Sequence, residues 1–358
     1  MKKHFILAAI SISILISCQK ETNNNVDNYI ESGSALVVNE GGFIKNNGSI
    51  SYISRENKVV NNIFEQNNNG LVAGDVLQSF TRVGNFGIIC VNNSQKVIIV
   101  DARTFKQVAE ITSGTDYPRF ALGVSNDKVY ITNGSFTGTV LVLNLKTFNV
   151  DKTINVGGGP EEMLASNGKV FVANSGGFGS DNTISVINST TDTEISRITV
   201  ADNPTEMERD AQGYLWVLCK GYVTYAPPTY APERQSAAKL VRINPSLNSI
   251  DRQIEIIPQT ADFSAADNLA ISGDGSKIFI CVDDKVYQMP ITATTLPSTP
   301  IITHLFYGLD VHPFTDEIWG LDAGNFNEAG KIIRYNSSAV AIDTFKVGII
   351  PNAVYFNL

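Results

Sequence analysis

The chain has 358 residues, of which 43% are hydrophobic and 17% are charged, and its formal net charge is −8 at pH 7. This composition provides enough apolar side chains for a packed core and excludes a disordered chain. The negative charge disfavours contact with the phosphate backbone of nucleic acids, so we expect no nucleic-acid partner.

The N-terminal residues resemble a bacterial lipoprotein signal peptide. Lys2 and Lys3 precede the apolar run FILAAISISILI, which is too short to be a comfortable permanent membrane span. The segment LISC, residues 15–18, then shows the apolar, apolar, small, cysteine pattern of these signal peptides. The resemblance implies cleavage before Cys18 and several acyl chains on that cysteine, which would give a stable membrane anchor. An ordinary signal peptide with a chance cysteine is the alternative.

A polar segment, QKETNNNVDN, follows Cys18. It lacks apolar periodicity, so we expect a tether. Acidic residues and lysine directly after the cysteine resemble the export signals of Bacteroidetes surface lipoproteins, which implies a location on the outer membrane at the cell surface. We therefore divide the chain into a signal peptide at 1–17, a lipidated cysteine with its tether at 18–34, and one domain at 35–358.

From residue 35 onward, one pattern of paired strands recurs. Segments such as NGKVFVANSGGFGSDNTISVIN join two apolar runs through a loop rich in Gly, Ser and Asn, and a turn-and-strand segment adjoins each of seven copies. These segments are marked by Gly74, Pro118, Pro160, Pro204, Asp267, Gly308 and Pro351. Four short strands in each interval of 41 to 44 residues are typical of a β-propeller blade. The one longer interval, before Asp267, indicates an insertion near GYVTYAPPTYAPERQSAA.

The two ends of the domain predict how the ring closes. The first copy, from Ala35, has a hairpin without a preceding strand, whereas the last marker, Pro351, opens a strand after which no hairpin follows. We predict that the C-terminal strand completes the N-terminal blade, which removes an open sheet edge. The fold class predicted is therefore all-β, a seven-bladed β-propeller of four-stranded antiparallel blades.

The residues that could carry catalysis or bind metal show no supporting spacing. Cys90, Cys219 and Cys281 each lie in an apolar, strand-like run and are predicted to be buried free thiols. His304 and His312 do not have the spacing of a metal site, and neither a phosphate-binding GxxxxGK[ST] loop nor a GxSxG nucleophile elbow occurs. We predict no catalytic residue, no metal and no cofactor.

The repeats resemble a known family. YPRFALGVSNDKVYITN, GGGPEEMLASNGKVFVAN and NPTEMERDAQGYLWVLCKG are similar to YncE-like seven-bladed propellers, and VVNEGGFIKNNGSISYI is similar to the Bacteroidetes lipoprotein branch of that family. The resemblance covers about residues 35 to 358. One group within this branch captures cobalamin and related corrinoids and passes them to a TonB-dependent outer-membrane transporter. The resemblance therefore implies a surface binding or accessory protein, with a corrinoid as a candidate ligand and such a transporter as a candidate partner.

Strand order places the loops between the second and third strands of every blade on one face of the ring. These loops are long and rich in Gly, Asn and aromatic residues, whereas the hairpins on the other face are short turns. Aromatic rings on such loops suit a large planar ligand, a sugar or a partner protein, although each ring could instead fold back over its own blade. The candidate ligand-binding residues of this face are Phe43, Phe136, Phe178, Tyr222, Tyr225, Tyr230 and Phe326.

A second candidate set should surround the mouth of the central channel. It consists of the residues that follow the blade markers, namely Asp75, Arg119, Glu161, Thr205, Asn268, Leu309 and Asn352. Mixed charge there could bind a small polar ligand or an ion. Alternatively, Arg119 could form an ion pair with Glu161 or with Asp75, which is the interpretation we favour.

Together these patterns predict a monomeric, lipid-anchored, surface-exposed propeller that binds a small molecule without chemistry and serves an outer-membrane transporter. Two alternatives remain open. The loop face could bind another surface protein, so that the chain acts as a scaffold. Alternatively, the chain could be a lactonase-like hydrolase that depends on a metal ion in the channel.

Overall fold

The computed structural model describes residues 28–225, 227–260 and 264–358. The predicted signal peptide, Cys18 and most of the tether lie outside these residues. In the described part of the chain, seven four-stranded antiparallel sheets surround a central channel as the blades of a β-propeller. None of the helices in this part is long and apolar enough to cross a membrane. The predicted fold class is confirmed.

The first four blades use the strands up to residue 199. Blade 1 begins with β1 (Ala35–Asn39), β2 (Ser49–Ile53) and β3 (Val59–Val60), and the short helix α1 (Ile63–Asn67) leads to blade 2. Blade 2 contains β4 (Leu77–Val83), β5 (Phe86–Val91), β6 (Lys96–Asp101) and β7 (Gln107–Ile111). Blade 3 contains β8 (Pro118–Ser125), β9 (Lys128–Asn133), β10 (Thr139–Asn144) and β11 (Asn149–Asn155). Blade 4 contains β12 (Pro160–Ser166), β13 (Lys169–Asn174), β14 (Thr183–Asn188) and β15 (Thr193–Thr199).

The last three blades follow the same plan, with one extra hairpin. Blade 5 contains β16 (Pro204–Arg209), β17 (Leu215–Cys219), β18 (Val223–Tyr225), β19 (Pro232–Arg234), β20 (Ala238–Asn244) and β21 (Ser249–Ile257). Blade 6 contains β22 (Ala266–Ile271), β23 (Lys277–Val282), β24 (Lys285–Pro290) and β25 (Ile302–Thr303). Blade 7 contains β26 (Gly308–Val311), β27 (Ile318–Asp322), β28 (Ala329–Tyr335) and β29 (Ala341–Ile349). The final strand is β30 (Pro351–Phe356).

The C-terminal strand closes the ring. Strand β30 pairs antiparallel with β1, so that Leu36 lies opposite Tyr355 and Val38 lies opposite Ala353. Blade 1 thus has the order β30-β1-β2-β3, and its innermost strand comes from the opposite end of the chain. This closure, which the unmatched ends of the repeat predicted, is confirmed.

The core lies between neighbouring blades, and the strand patterns follow from that. The second strand of a blade is covered on both sides, so β13 (KVFVAN) has five consecutive buried residues. The outermost strand β15 (TEISRIT) instead alternates between exposed and less exposed residues. At the seam between blades 7 and 1, Ala35 and Val37 pack in one cluster with Trp319 and Leu321. The three described cysteines are free and buried, as predicted.

The two faces of the ring differ in their connections. We call the face that carries the β1–β2, β9–β10, β13–β14, β17–β20 and β27–β28 loops the long-loop face, and the other the short-turn face. The insertion predicted in blade 5 forms the β18–β19 hairpin on the long-loop face. Arg234 fastens the base of this hairpin, because its Nη1 donates to the carbonyl oxygens of Lys220 and Ser236, at 3.2 Å each.

Candidate ligand-binding site

A cavity of about 450 Å³ lies where the central channel opens to the long-loop face. Residues from all seven blades line it. The charged lining residues are Glu40, Arg119, Glu161, Glu162, Glu206, Glu208, Lys220, Asp267, Asp310 and Asp322. The aromatic lining residues are Phe120, Phe306, Tyr307 and Phe326. A cavity of this volume suits a small organic ligand.

Backbone irregularities at the start of the innermost strands position this lining. In six of the seven blades, the pairing between the innermost strand and the second strand shifts register near the start of the innermost strand. In blade 5, for example, the shift lies between Pro204 and Glu206. A β-bulge turns the extra residue out of the ladder and re-aims its side chain. The residues at these shifts that line the cavity are Gln78, Arg119, Glu161, Thr205, Asn268 and Asn352. The seventh blade has a regular register there and contributes Leu309.

The structure brings together most of the predicted channel-mouth ring. Arg119, Glu161, Thr205, Asn268 and Asn352 all line the cavity.

Asp75 is the exception among the predicted ring residues, because β4 begins three residues after Gly74. Gln78 occupies the equivalent position at the cavity. The carboxylate of Asp75 instead accepts hydrogen bonds from the backbone N–H of Ile44 (2.9 Å) and from Nδ2 of Asn93 (2.5 Å). Asp75 therefore anchors the β1–β2 loop.

Arg119 has Glu161 as its ionic partner, one of the two considered from sequence. Its Nε lies 2.7 Å from Oε2 of Glu161, and its Nη1 donates to Oε1 of Gln78 at 2.7 Å. The guanidinium thus ties together the innermost strands of blades 2, 3 and 4. Burial alone would lower the pKa of Arg119, but the charge and hydrogen bond of Glu161 outweigh this and the net shift is upward.

Lys220, directly after β17, is the second cation of the cavity. Its Nζ lies 2.5 Å from Oδ1 of Asp267 and 3.5 Å from Oε1 of Glu206. Burial disfavours its charged form, yet these two carboxylates outweigh burial and raise its pKa. Both cations of the lining are therefore already paired with carboxylates.

Below the mouth, carboxylates join neighbouring blades at three junctions, between blades 4 and 5, blades 5 and 6, and blades 7 and 1. Oε2 of Glu162 accepts from the N–H of Met207 at 2.9 Å, and Oε2 of Glu206 accepts from the N–H of Leu269 at 2.5 Å. Asp310 does the same for Val354 at 2.8 Å. The innermost strand of a blade has no strand on its channel side, so these side chains satisfy backbone donors that would otherwise lack partners.

Three carboxyl groups of the channel, those of Glu162, Glu208 and Asp310, have raised pKa values. Desolvation, followed by the negative charges of Asp310 and Glu206, raises the pKa of Glu208 to about 8. Desolvation raises the pKa of Asp310 to about 7, with a smaller contribution from Glu206. The pKa of Glu162 is also well above its usual value, through desolvation first and then through its acidic neighbours. The negative charges of neighbouring acidic side chains, together with desolvation, therefore disfavour the ionisation of Glu162, Glu208 and Asp310.

Glu40 extends this acidic lining to the mouth. Its carboxylate accepts from the hydroxyl of Tyr307 at 2.8 Å and from Nδ2 of Asn352 at 3.2 Å. Desolvation raises its pKa, and the two hydrogen bonds oppose that shift in part. Through the bond to Tyr307, the loop after β1 contacts the neighbouring blade 7 at the entrance.

The predicted aromatic residues of the long-loop face do not form a single patch. Only Phe326 lines the cavity, where its ring meets that of Tyr307 edge-on with centroids 5.6 Å apart. Phe178, 70% exposed, packs against Phe136 at 5.4 Å and against Tyr117 at 5.6 Å.

The remaining aromatic candidates lie away from both groups. Phe43 is exposed at the tip of the β1–β2 loop. Tyr225 and Tyr230 are exposed on the blade 5 hairpin, and Tyr222 is half-buried at its base. They contribute to the long-loop face but not to the cavity lining.

Several lining residues were not found from sequence. The sequence pattern could have predicted Glu206 and Glu208 as lining residues. Side chains alternate along the strand PTEMER, which places these two on one side and the buried Met207 on the other. Tyr307 stands directly before the marker Gly308, where only the residue after the marker was considered. Glu40 gave no local signal, since a loop conformation decides its direction. In the described ranges, no three His, Cys, Asp or Glu side chains lie as a metal site requires.

Fold and cavity together define a class, the seven-bladed β-propellers with a polar pocket at one end of the channel. Within that class, residues 33–347 match the model of the family described as "Domain of unknown function (DUF5074)", and the chain belongs to this family. No curated protein matches the sequence.

Two solved structures show the same fold. A quinonprotein alcohol dehydrogenase-like protein from Bacteroides thetaiotaomicron is similar with a TM-score of 0.65 and 11% identity, over 92% of this chain and 79% of that one. A chain of Kuenenia stuttgartiensis hydrazine synthase is similar with a TM-score of 0.54 and 16% identity, over 75% of this chain and 80% of that one. At these identities the likeness concerns the fold alone.

Proposed function

We propose that this protein is a binding protein of the bacterial cell envelope, held at the outer membrane by lipid on Cys18, whose long-loop face takes up a small molecule without catalysing a reaction. The observation that supports this is the cavity of about 450 Å³, which all seven blades line and which opens beside exposed aromatic rings. A TonB-dependent transporter is the proposed partner, and the protein would act on it as a monomer.

A corrinoid is the first ligand to test, because of the resemblance of the repeats. A corrinoid is larger than the ligands that cavities of this volume enclose. We therefore expect its flat macrocycle to lie across the mouth against Phe326 and Tyr307, with only a substituent entering the cavity.

Titration of the purified protein with cobalamin and cobinamide, followed by absorbance and calorimetry, tests this ligand. We expect saturable binding that Phe326→Ala weakens about tenfold, since a buried aromatic contact contributes on the order of 1.4 kcal/mol. Phe314→Ala, on the short-turn face, is the matched control because Phe314 is also exposed. Absence of heat and of a spectral change at micromolar protein would exclude corrinoids.

The proposed anchor has its own test. In cells that express the full chain, Cys18→Ser should move the protein from the membrane fraction to the soluble fraction and abolish labelling by a fatty-acid analogue. Protease added to intact cells should degrade the wild-type protein if it is displayed at the surface. Retention of Cys18→Ser in the membrane would contradict lipid anchoring.

A protein partner on the long-loop face is the second candidate function. It is favoured by the exposure of Phe43, Phe136, Phe178 and Tyr230, which is above 60% for each ring. Cross-linking from a photoreactive residue at Phe178 in intact cells separates the candidates. Capture of a transporter supports the uptake role, whereas capture of an adhesin or matrix protein supports a scaffold.

A further inference from the structure

The charges of the cavity are strongly unbalanced. Its lining contains eight acidic and two basic residues. Arg119 is neutralised by Glu161, and Lys220 by Asp267 and Glu206. Asp322 is paired with Lys331, whose Nζ lies 3.3 Å from Oδ2 of Asp322. Within the described part of the chain, the lining carboxyl groups without a cation within 4.0 Å are therefore those of Glu40, Glu162, Glu208 and Asp310.

The carboxyl groups deeper in the channel face one another rather than cations. The charges that act on Glu208 are those of Asp310 and Glu206, and the charges that act on Glu162 are those of Glu206, Glu208 and Asp310. All of these are negative. Glu162 and Asp310 each use one carboxylate oxygen for a backbone N–H of the next blade, so the acid groups are fixed in place by the ring. A bound positive charge would relieve this repulsion.

The walls above these acids are aromatic. Phe120, Phe306, Tyr307 and Phe326 line the same cavity. Aromatic faces attract cations and also accommodate apolar groups. An inorganic ion would use only the acids, whereas an ammonium group on an apolar body would use both parts of the lining.

Blade 6 provides an acidic approach to the cavity. Its β23–β24 connection is only the turn at Asp283 and Asp284, and a second cavity of about 340 Å³ lies beside it. The two cavities share Asp267, Leu305 and Phe306. Asp284 is paired with Lys285 at 2.5 Å, whereas Asp283 has no ion-pair partner within 4.0 Å in the described part of the chain. The carboxylate of Asp283 favours the association of a positively charged ligand along this path.

We propose that the cavity selects organic cations, namely amines that carry an aromatic or alkyl body, with the ammonium group directed toward the carboxylates of Glu162, Glu208 and Asp310 and the body against the aromatic wall. This inference rests on the proposed function, because it assigns a ligand class to the same cavity. It also implies that binding displaces protons from the crowded carboxyl groups.

A pair of probes that differ in charge tests the inference. Tryptamine and indole-3-propionate share an aromatic body and have opposite charges. Calorimetric titration of the purified protein at pH 7 should show saturable binding of tryptamine and at least tenfold weaker binding of indole-3-propionate, the factor that about 1.4 kcal/mol provides. Repetition in buffers of different ionisation enthalpy should reveal net proton release with the amine.

Matched variants locate the binding. Glu208→Gln keeps the size of the side chain, removes its charge and should weaken tryptamine about tenfold. Glu255→Gln, on an exposed position of β21, should leave the affinity unchanged. Unchanged thermal unfolding of each variant at pH 4, where Glu208 is largely protonated in both the folded and the unfolded wild type, shows that the fold is retained.

Several results would overturn the inference. These are equal or tighter binding of the carboxylate, an affinity for tryptamine that Glu208→Gln does not change, or tighter binding of calcium chloride that displaces the amine. Binding of corrinoids without binding of tryptamine would overturn this inference and leave the proposed function standing. Failure of every probe, corrinoids included, would count against both.

Discussion

The two faces of the ring use the same polar residue types for different purposes. On the short-turn face, acidic and amide side chains bond to their own turns. Asp210 accepts from the N–H of Gln212 and Tyr214, and Asn188 accepts from the N–H of Thr190 and Thr191. On the long-loop face, bulges turn such side chains toward the channel, where they meet other blades and the cavity. A polar side chain that hydrogen-bonds to its own turn has a structural role. Polar side chains from several blades that gather around a cavity indicate a candidate binding site.

The short-turn face should show the larger effect on stability. Asp210 is buried, and its Oδ2 accepts from Nε1 of Trp216 at 2.9 Å and lies 2.8 Å from Nη2 of Arg242. Asp210→Ala leaves the indole N–H of Trp216 without its acceptor and removes the buried one of the two carboxylates that contact the guanidinium of Arg242. We expect a loss of about 3–5 kcal/mol in the free energy of unfolding, measured by urea denaturation.

Binding by the folded fraction of Asp210→Ala should be unchanged, since Asp210 lies on the face opposite the cavity. Asp251→Ala provides a graded comparison, because its carboxylate reaches the same Arg242 at 3.2 Å but is partly exposed. If both substitutions cost the same, Asp210 is not the residue that holds this face together.

Substitution of an acidic residue in the cavity should instead raise the free energy of unfolding, because the partly buried acidic side chains destabilise the folded chain when they are ionised. The folded chain retains the proton of Glu208 up to a pH of about 8, whereas the unfolded chain releases it near the ordinary pKa of 4.5. Unfolding therefore releases protons in this window, and the free energy of unfolding falls as the pH rises through it. Glu208→Gln removes this penalty.

We expect Glu208→Gln to be more stable than the wild type by about 1–2 kcal/mol at pH 9, because Glu208 is only partly buried and solvent screens part of the shift. The difference should vanish below pH 4.5, where both states of the wild type are protonated. Urea denaturation across this pH range measures it. A variant less stable at pH 9 would show that Glu208 stabilises the ring.

The same contrast explains what sequence could predict. Pro118, Pro160 and Pro204 marked the innermost strands because proline lacks the N–H that an inner strand would leave unpaired at its first residue. Ring closure was predicted because the first repeat has a hairpin without its innermost strand and the last repeat has a strand without a hairpin. The cavity was harder, because each bulge shifts which residue faces the channel and the spacing after Gly74 differs from that after the prolines. Asp75 was placed in the ring for this reason, where Gln78 lies.

The smallest expected effect concerns exposed rings on the two faces. Phe178 contacts both Phe136 and Tyr117, whereas Phe314, 76% exposed, meets only the ring of His312, at 6.2 Å, among the described ring contacts. We expect Phe178→Ala to lower the free energy of unfolding by about 0.5–1 kcal/mol, and Phe314→Ala to change it by less than about 0.5 kcal/mol. Thermal and urea unfolding of the two variants measure the difference. An equal or larger cost at Phe314 would mean that the aromatic group around Phe178 is not packed in solution, and that its rings are free to meet a ligand or a partner one at a time.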